Sequence, residues 1–363
     1  MKPTRFVPAL SACRLFLGCL FLLAARSDLF AADVVPYRDD LPYVPKTQRL
    51  PDEGYRDSGY ARTARLALTF PKGAPALAIT RDYPRLDGAT AFAHVYMAAA
   101  QAIYRDEPID AEWGRPPTSS PHKRAAWMIS RRDSYLDGMS VHSSTTPVAY
   151  ECLIQGEADM IFALAPSAEQ REKAAEAGLT LKLTPFAREA FVFVTSAENP
   201  VDHLTLAQVR AIYSGQITNW KEVGGVDAPI LAFQRPSGSG SQTIMETVMQ
   251  GSHLQEARRE NIPMSMGMMV RMVAEYRNLH NALGYSFRYY ATELNPVPGL
   301  KLLAIDDVAP TLENVRNGSY PFTVEVYMVS ARPLSENTQK LADWFLSDEG
   351  QRFVETAGYA PIR

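Results

Sequence analysis

Cysteine and histidine are scarce in this chain of 363 residues, which has three cysteines and six histidines. The histidines show no close pairing, no H-E-x-x-H motif and no cluster with cysteine, so the sequence predicts no metal site. Cys13 and Cys19 fall within the first 32 residues, and Cys152 is the only cysteine beyond them. That part of the chain can form no internal disulfide, and Cys152 is expected to be a small core residue.

Basic charge is also lacking, since the formal net charge is −3 at pH 7. Residues 1–32 hold four basic side chains and one acidic one, so the rest of the chain carries −6. Proteins that bind nucleic acid usually carry a basic surface, so no nucleic-acid partner is expected. The overall composition, 46% hydrophobic and 21% charged, is that of a globular protein long enough for two domains.

Only one long apolar run occurs near the start, "LFLGCLFLLAA" at residues 15–25. Basic residues precede it, small residues near Ala31 and Ala32 follow it, and it is short for a membrane-spanning helix, which predicts a cleaved signal peptide over 1–32. The protein is therefore expected to be periplasmic or otherwise extracytoplasmic. Phe16 is a poor residue three places before Cys19, so no lipid anchor is expected. Residues 33–78, rich in Pro and Tyr, are predicted to form an extended arm.

Strand-like and helix-like segments alternate after the arm, which favours an α/β architecture. The most informative segment is "AFQRPSGSGSQTIMETVM" at residues 232–249. The apolar residues 229–235 predict a strand, and the pairs Ser239/Gln242 and Thr243/Glu246 each fit a helix capping box. The first turn of a helix has free N–H groups and partial positive charge, so this segment predicts an anion site.

Two further helix starts have the same character. Thr90 stands directly before an alanine-rich apolar segment, and Thr146 stands before Pro147 in the preferred order of cap and proline. Serine and threonine cap helices in many proteins, so each of these alone is also explained as an ordinary cap. The combination with Arg235, four residues before a serine-rich helix start, favours an oxyanion site built from several helix ends.

Four segments resemble the periplasmic phosphate-binding proteins of ABC transporters and, more generally, the type II solute-binding fold. They are "YPRLDGATAFAHVY" (83–96), "LTLAQVRAIYSGQITNWKEVGG" (204–225), "FQRPSGSGSQT" (233–243) and "LADWFLSDEGQRFVETAGYAPI" (341–362). The resemblance implies two α/β lobes joined by two chain crossings, with the ligand between the lobes. It implies lobe I over 79–190 and 285–363, and lobe II over 191–284.

By motif position the resemblance also implies a ligand site. The arginine of the family's loop falls on Arg235, and the second hydroxyl loop maps to residues 144–146. A serine stands at position 241, where threonine is usual in the family. The implied ligand-binding residues are Thr90, Ala91, Ser144, Thr146, Arg235, Ser239, Gly240 and Ser241.

One position departs from the family pattern. The aspartate that phosphate receptors place in the cleft falls near Leu164 in "DMIFALAPS". Asp87, just before Gly88 in the first ligand loop, is the alternative acceptor, although an aspartate there is equally well explained as a turn former. The identity of the anion stays open at this point, with inorganic phosphate as the first candidate.

The sequence therefore predicts a monomeric solute-binding protein that passes an oxyanion to ABC transporter permease subunits, with no cofactor and no catalysis. A sensor or surface protein of the same fold is the alternative, because only its partner would differ. A serine hydrolase is disfavoured because "SGSGS" does not fit G-x-S-x-G and no histidine is identified as a base.

Overall fold

The computed structural model describes residues 75–105, 140–257, 262–275 and 280–363. The predicted signal peptide and residues 33–74 of the predicted arm lie outside the described residues. Within the described ranges, no helix combines the length and the apolar character needed to cross a membrane.

The elements are numbered in chain order over the described residues. The strands are β1 (Leu86–Gly88), β2 (Met160–Ala163), β3 (Lys182–Ser196), β4 (His203–Leu204), β5 (Leu231–Ala232), β6 (Ala282–Phe287), β7 (Leu300–Leu302), β8 (Ala304–Ile305), β9 (Thr323–Ser330) and β10 (Ala360–Pro361). The helices are α1 (Ala93–Ile103), α2 (Thr146–Gln155), α3 (Ala168–Glu176), α4 (Leu206–Tyr213), α5 (Gly240–Met249), α6 (Met266–Glu275), α7 (Leu312–Arg316), α8 (Glu336–Leu346) and α9 (Asp348–Thr356). Short 3₁₀ turns span Thr90–Phe92 and Trp220–Val223, and a π-helical turn spans Tyr290–Leu294.

Strand β3 organises the sheet. The main strand order is β1-β2-β9-β3-β6-β5, and both β10 and β7 also pair with β3. A separate parallel pair joins β4 to β8. The sheet mixes parallel and antiparallel pairs and carries helices, which confirms the predicted α/β class.

The pairing of β3 changes along its length. Residues 182–190 pair with β9, whereas residues 191–195 pair with β6. The change falls between Ala190 and Phe191, at the predicted boundary between lobe I and lobe II. β6, Ala282–Phe287, spans the second predicted boundary, between residues 284 and 285. One strand therefore runs without interruption from one half of the sheet into the other.

The sequence explains why β3 can occupy this position. Residues 190–194, "AFVFV", are continuously apolar, and from Phe186 to Ser196 every residue except Arg188 is buried. Such runs form strands that are covered on both faces. The rings of Phe191 and Phe193 are 5.5 Å apart in an edge-to-face arrangement, and Phe191 also contacts Tyr285 and Phe287 on β6. The aromatic packing fixes β3 against β6 next to the change in pairing.

The lobe boundaries stay a prediction, and one feature of the pairing bears on them. β7 pairs with residues 194–196 of β3, and β8 pairs with β4. Residues 300–305 therefore lie against the second half of β3 and against β4, although the predicted boundaries assign 285–363 to lobe I.

Trp220 and Cys152 are both buried, and the sequence assigns Cys152 to the core. Trp220 is fully buried and its indole N–H donates to the carbonyl of Asn281 at 2.9 Å. Cys152 is also buried, and burial raises the pKa of its thiol. Both agree with a structural role.

Candidate functional site

The serine- and glycine-rich segment leads into α5, as the sequence predicts. Ser239 is the N-cap, and its side chain accepts a hydrogen bond from the backbone N–H of Gln242 at 3.3 Å. Gly238, at φ 76°, makes the turn that aims the chain into the helix. No described acceptor binds the N–H groups of Gly240 and Ser241. The start of α5 therefore presents free donors at the positive end of a helix.

Helix α2 begins one residue earlier than predicted. Thr145 is the N-cap, Thr146 is the first helical residue, and no side chain caps the helix. The prediction that Thr146 is the cap is wrong, because Pro147 fits either of the first two helical positions and here takes the second. The threonine hydroxyl is thus left for other contacts.

The starts of α2 and α5 are in direct contact. A Cβ built on Gly240 would lie 2.9 Å from Thr146 Oγ1 and 3.4 Å from Leu164 Cδ1. Only a glycine permits so close an approach. We call the set Thr146, Leu164 and Gly240 the helix-end junction. Two of the predicted site residues meet there, together with the leucine that stands at the position expected for an aspartate.

A second contact connects α5 to α3. The side-chain amide of Gln170, in the first turn of α3, donates to the carbonyl of Gly238 at 3.3 Å. Ser167 and Gln170 form a capping box at the start of α3. The loop that contains Leu164 is thereby held between β2 and a capped helix, so the position of Leu164 is well defined.

The first predicted ligand loop forms a separate hydrogen-bonded group around Asp87, which is 1% exposed. Its carboxylate accepts from Gly88 N at 2.7 Å, from Ser144 N at 3.0 Å and from Ser144 Oγ at 2.8 Å. Thr90 Oγ1 donates to the carbonyl of Ser144 at 3.1 Å. Asp87, Thr90 and Ser144 are therefore brought together, and the carboxylate holds two loops in register.

Thr90 differs from the prediction in its local structure. It begins the 3₁₀ turn Thr90–Phe92, and α1 starts only at Ala93, without a side-chain cap. The hydroxyl of Thr90 is used to connect the loop to Ser144 instead. Ala91 is buried, and its carbonyl accepts from the hydroxyl of Tyr359.

Arg235 is held by its backbone next to the start of α5. Its N–H donates to Tyr285 Oη at 2.8 Å and to Gln242 Oε1 at 3.0 Å. The guanidinium donates to the carbonyl of Met264 at 3.2 Å, and its Nε is buried without a hydrogen-bond partner. Among the described residues no carboxylate forms an ion pair with Arg235. Burial lowers the pKa of the guanidinium, which nevertheless stays charged at neutral pH.

Ser241 completes the candidate site. The residue is 2% exposed, and its hydroxyl has no hydrogen-bond partner among the described residues. A buried hydroxyl without a partner costs free energy, so it calls for an explanation such as a ligand. Its neighbourhood, the first turn of α5, is where an anion would supply the missing acceptor.

Sequence reasoning missed two residues that position the site. Tyr285 and Gln242 both bind the backbone N–H of Arg235, and the hydroxyl of Tyr285 also donates to Gln242. Nothing in the local sequence of β6 indicates this role for Tyr285. The role of Gln170 was accessible, because "SAEQ" at 167–170 fits a capping box.

The described part of the chain contains no group of three or more histidine, cysteine or acidic residues suited to a metal ion. The candidate site is built from backbone N–H groups, hydroxyls and one guanidinium. This donor set suits an anion and not a cation.

Comparison with known proteins finds phosphate-binding proteins among the relatives of this chain. The phosphate-binding protein PstS of Borreliella burgdorferi is 27% identical over 235 residues, which are 61% of this chain and 82% of that protein. The PstS of Bacillus subtilis is 27% identical over 200 residues, covering 54% of this chain and 62% of that protein. The chain thus spans less than two thirds of the length of the second relative.

The fold has solved counterparts. A Clostridium perfringens protein assigned as a phosphate ABC transporter substrate-binding protein, with phosphate bound, matches with 25% identity and a TM-score of 0.56 over 77% of this chain and 98% of that one. An ABC-type phosphate transport receptor from Vibrio cholerae matches with 18% identity and a TM-score of 0.50, over 76% and 98% of the two chains. The family model described as the PBP superfamily domain matches residues 135–349, more than half of the chain. This chain therefore belongs to the PBP superfamily.

Proposed function

We propose that this protein is an extracytoplasmic solute-binding protein that captures a tetrahedral oxyanion, with inorganic phosphate as the first candidate, and passes it to an ABC transporter. One observation carries the proposal. The start of α5 contacts the start of α2 at the helix-end junction, and the buried hydroxyl of Ser241 next to it has no partner. Two helix N-termini that converge on unpaired donors form an arrangement that an anion stabilises.

Arg235 supplies the full positive charge in this proposal. Its guanidinium is partly buried, with no acidic partner among the described residues, so an anion would gain charge-assisted hydrogen bonds without displacing an existing ion pair. The free N–H groups of Gly240 and Ser241 add directed donors. Asp87 and Ser144 hold the first ligand loop, so that Thr90 and Ala91 keep a fixed position.

The relatives support the choice of phosphate. The curated relatives from Borreliella burgdorferi and Bacillus subtilis are phosphate-binding proteins by name, and the Clostridium perfringens structure has phosphate bound. Solute-binding proteins bind and release without changing a covalent bond, and we infer the same of this chain.

Binding would proceed by closure of the two lobes. Contacts between α5 and the starts of α2 and α3 join two parts of the fold that meet otherwise through β3 and β6. An anion that contacts both sides binds the closed arrangement better than an open one, so it shifts the population towards closure. The closed form is what permease subunits would recognise.

A titration tests the proposal. Mature protein, residues 33–363, is stripped of ligand and titrated with inorganic phosphate by calorimetry, alongside Arg235→Ala and a control, Arg352→Ala, at an exposed arginine outside the site. Truncating one partner of a buried charge pair costs about 2–5 kcal/mol. We expect that loss for Arg235→Ala alone. Equal affinity in all three proteins would contradict the proposed site, and no binding of phosphate or sulfate by the wild type would contradict the function.

A further inference from the structure

The polar groups of the proposed site are dominated by donors. The guanidinium of Arg235 and the N–H groups of Gly240 and Ser241 can only donate. The hydroxyls of Thr146 and Ser241 can donate or accept, so each can turn to suit the anion that is bound. A hydroxyl therefore distinguishes weakly between an oxyanion that carries a proton and one that does not. Strong discrimination needs a group that can only accept, such as a carboxylate or a backbone carbonyl.

Leu164 occupies the place where such a group would have most effect. Its side chain is 1% exposed, and its Cδ1 lies 3.4 Å from the Cβ position of Gly240. It follows directly after β2, and its carbonyl accepts from the hydroxyl of Tyr150 at 2.6 Å. The backbone carbonyl is thus held by Tyr150, and the side chain offers only hydrocarbon to the junction.

Asp87, the carboxylate held near the predicted ligand residues, is committed to the protein. It accepts the three hydrogen bonds from Gly88 and Ser144 described above. An ionised carboxylate has about four acceptor positions, so at most one is left for a ligand. A ligand could use this remaining position only if the hydrogen bonds that Asp87 accepts from Gly88 and Ser144 stayed in place.

We propose that the site binds oxyanions as pure acceptors and makes no use of a proton on the ligand, with Leu164 as the residue that sets this specificity. The inference rests on the proposed function and names its substrate class: tetrahedral oxyanions in general, sulfate as well as phosphate. The O–H of a protonated oxyanion would find as acceptor only a hydroxyl that can equally well donate to an unprotonated one, so the proton brings little gain in affinity. An unpaired buried O–H costs about 1–3 kcal/mol, the equivalent of roughly 5- to 150-fold in affinity.

The test is competition between phosphate and sulfate for ligand-free mature protein at pH 8 and constant ionic strength. At this pH phosphate is mainly the monohydrogen dianion, so the two anions have equal charge and differ in the proton. We expect sulfate to compete within about 100-fold of phosphate. Binding of phosphate with exclusion of sulfate by more than about 1,000-fold would overturn this inference and leave the proposed function standing.

Two variants assign the specificity to position 164. Leu164→Asp introduces an obligate acceptor and is expected to weaken sulfate at least 10-fold more than phosphate, while Leu164→Asn, of similar size but able to donate, is expected to leave the ratio within about threefold of the wild type. An unchanged ratio in folded Leu164→Asp would overturn the role of Leu164. If Leu164→Asp does not fold, the inference is tested by the ratio of phosphate to sulfate affinity in the wild type and in Asp87→Asn.

Asp87→Asn distinguishes the remaining possibility. If the wild type selects phosphate strongly and Asp87→Asn abolishes that selection, Asp87 is the acceptor and the inference is overturned. If the wild type binds both anions, Asp87→Asn should lower both affinities together, because the loop that holds Ser144 would loosen. Failure to bind either anion, in a wild type that unfolds cooperatively, would count against the proposed function itself.

Discussion

The carboxylate of Glu189 accepts a hydrogen bond from the backbone N–H of Tyr289 at 3.2 Å, and this contact ties together the two segments at which the chain passes between the halves of the sheet. Glu189 lies just before β3 changes partners, and Tyr289 follows the end of β6. The other carboxylate oxygen accepts from Ala190 N at 2.7 Å and lies 3.5 Å from Arg288 Nε. A single buried acid therefore connects both crossings.

The stability of the protein should depend on the protonation of Glu189. Burial raises the pKa of this carboxyl from its usual 4.5 to about 7, against the opposing effects of Arg288 and of the backbone N–H groups of Ala190 and Tyr289. The folded protein holds this proton more tightly than the unfolded chain does, so its stabilising contribution is complete below pH about 4.5 and is lost as pH rises through about 7. The contribution is on the order of 3 kcal/mol.

Glu189→Gln removes the titration and keeps an acceptor for Tyr289. Urea unfolding at pH 5, 6, 7 and 8 should show the wild type losing free energy of unfolding relative to this variant as pH rises. Glu172→Gln, at an exposed position, is the matched control. A constant difference between wild type and Glu189→Gln over this range would contradict the prediction.

The close approach at Gly240 should be visible in a double-mutant cycle. Gly240→Ala puts a methyl group 2.9 Å from Thr146 Oγ1, and overpacking of this kind costs about 1–3 kcal/mol. Urea unfolding is expected to show the variant less stable than the wild type by that amount. In a Thr146→Ala background the same change should cost less, because the clashing atom is gone. Strictly additive losses would show that Thr146 is not what Gly240 has to avoid.

Ser241→Ala should separate ligand binding from stability. The hydroxyl has no partner in the part of the chain that the structure describes, so its removal is expected to leave thermal stability almost unchanged. A hydrogen bond to a charged group contributes about 1.5–3 kcal/mol, so phosphate affinity should fall by roughly 10- to 150-fold. Ser286, fully buried on β6 and also without a partner, supplies the control Ser286→Ala. Equal effects of the two changes on affinity would argue against a ligand contact by Ser241.

The proposed export can be tested on the protein itself. The basic start, the apolar run at 15–25 and the small residues after it predict that the exported protein begins at Ala32 or Asp33. N-terminal sequencing or intact mass of protein recovered outside the cytoplasmic membrane measures this directly. A stable cytoplasmic pool that retains Met1 would contradict the predicted localisation.

The sequence correctly predicts the segment in which α5 begins, but it does not predict which residues contact that helix start. Ser239 is recognisable as a cap because the signal lies within four residues, and the apolar pattern after it has helical spacing. Thr146 is misplaced by one position because Pro147 is compatible with either of the first two helical positions. The first residue of a helix depends on such single-residue choices, so helix boundaries are predicted less accurately than the helices themselves.

Local sequence patterns do not predict contacts between residues that are distant in the sequence. Tyr285 reads as an ordinary core residue of a strand, and only the folded chain brings its hydroxyl to the N–H of Arg235. Glu189 reads as one charged residue in a mixed segment, although it is 1% exposed and joins two crossings a hundred residues apart. Both contacts join residues that are far apart in the sequence, so a short sequence segment cannot predict them.

The uninterrupted course of β3 has a consequence for how this protein comes apart. Residues 182–190 belong to one half of the sheet and residues 191–196 to the other, so neither half can lose its strand without withdrawing a partner from the other. Two lobes built as separate bodies on a flexible linker would melt independently. Here the shared strand couples them, and denaturation should be one cooperative transition, monitored equally by Trp220 on one side and Trp344 on the other.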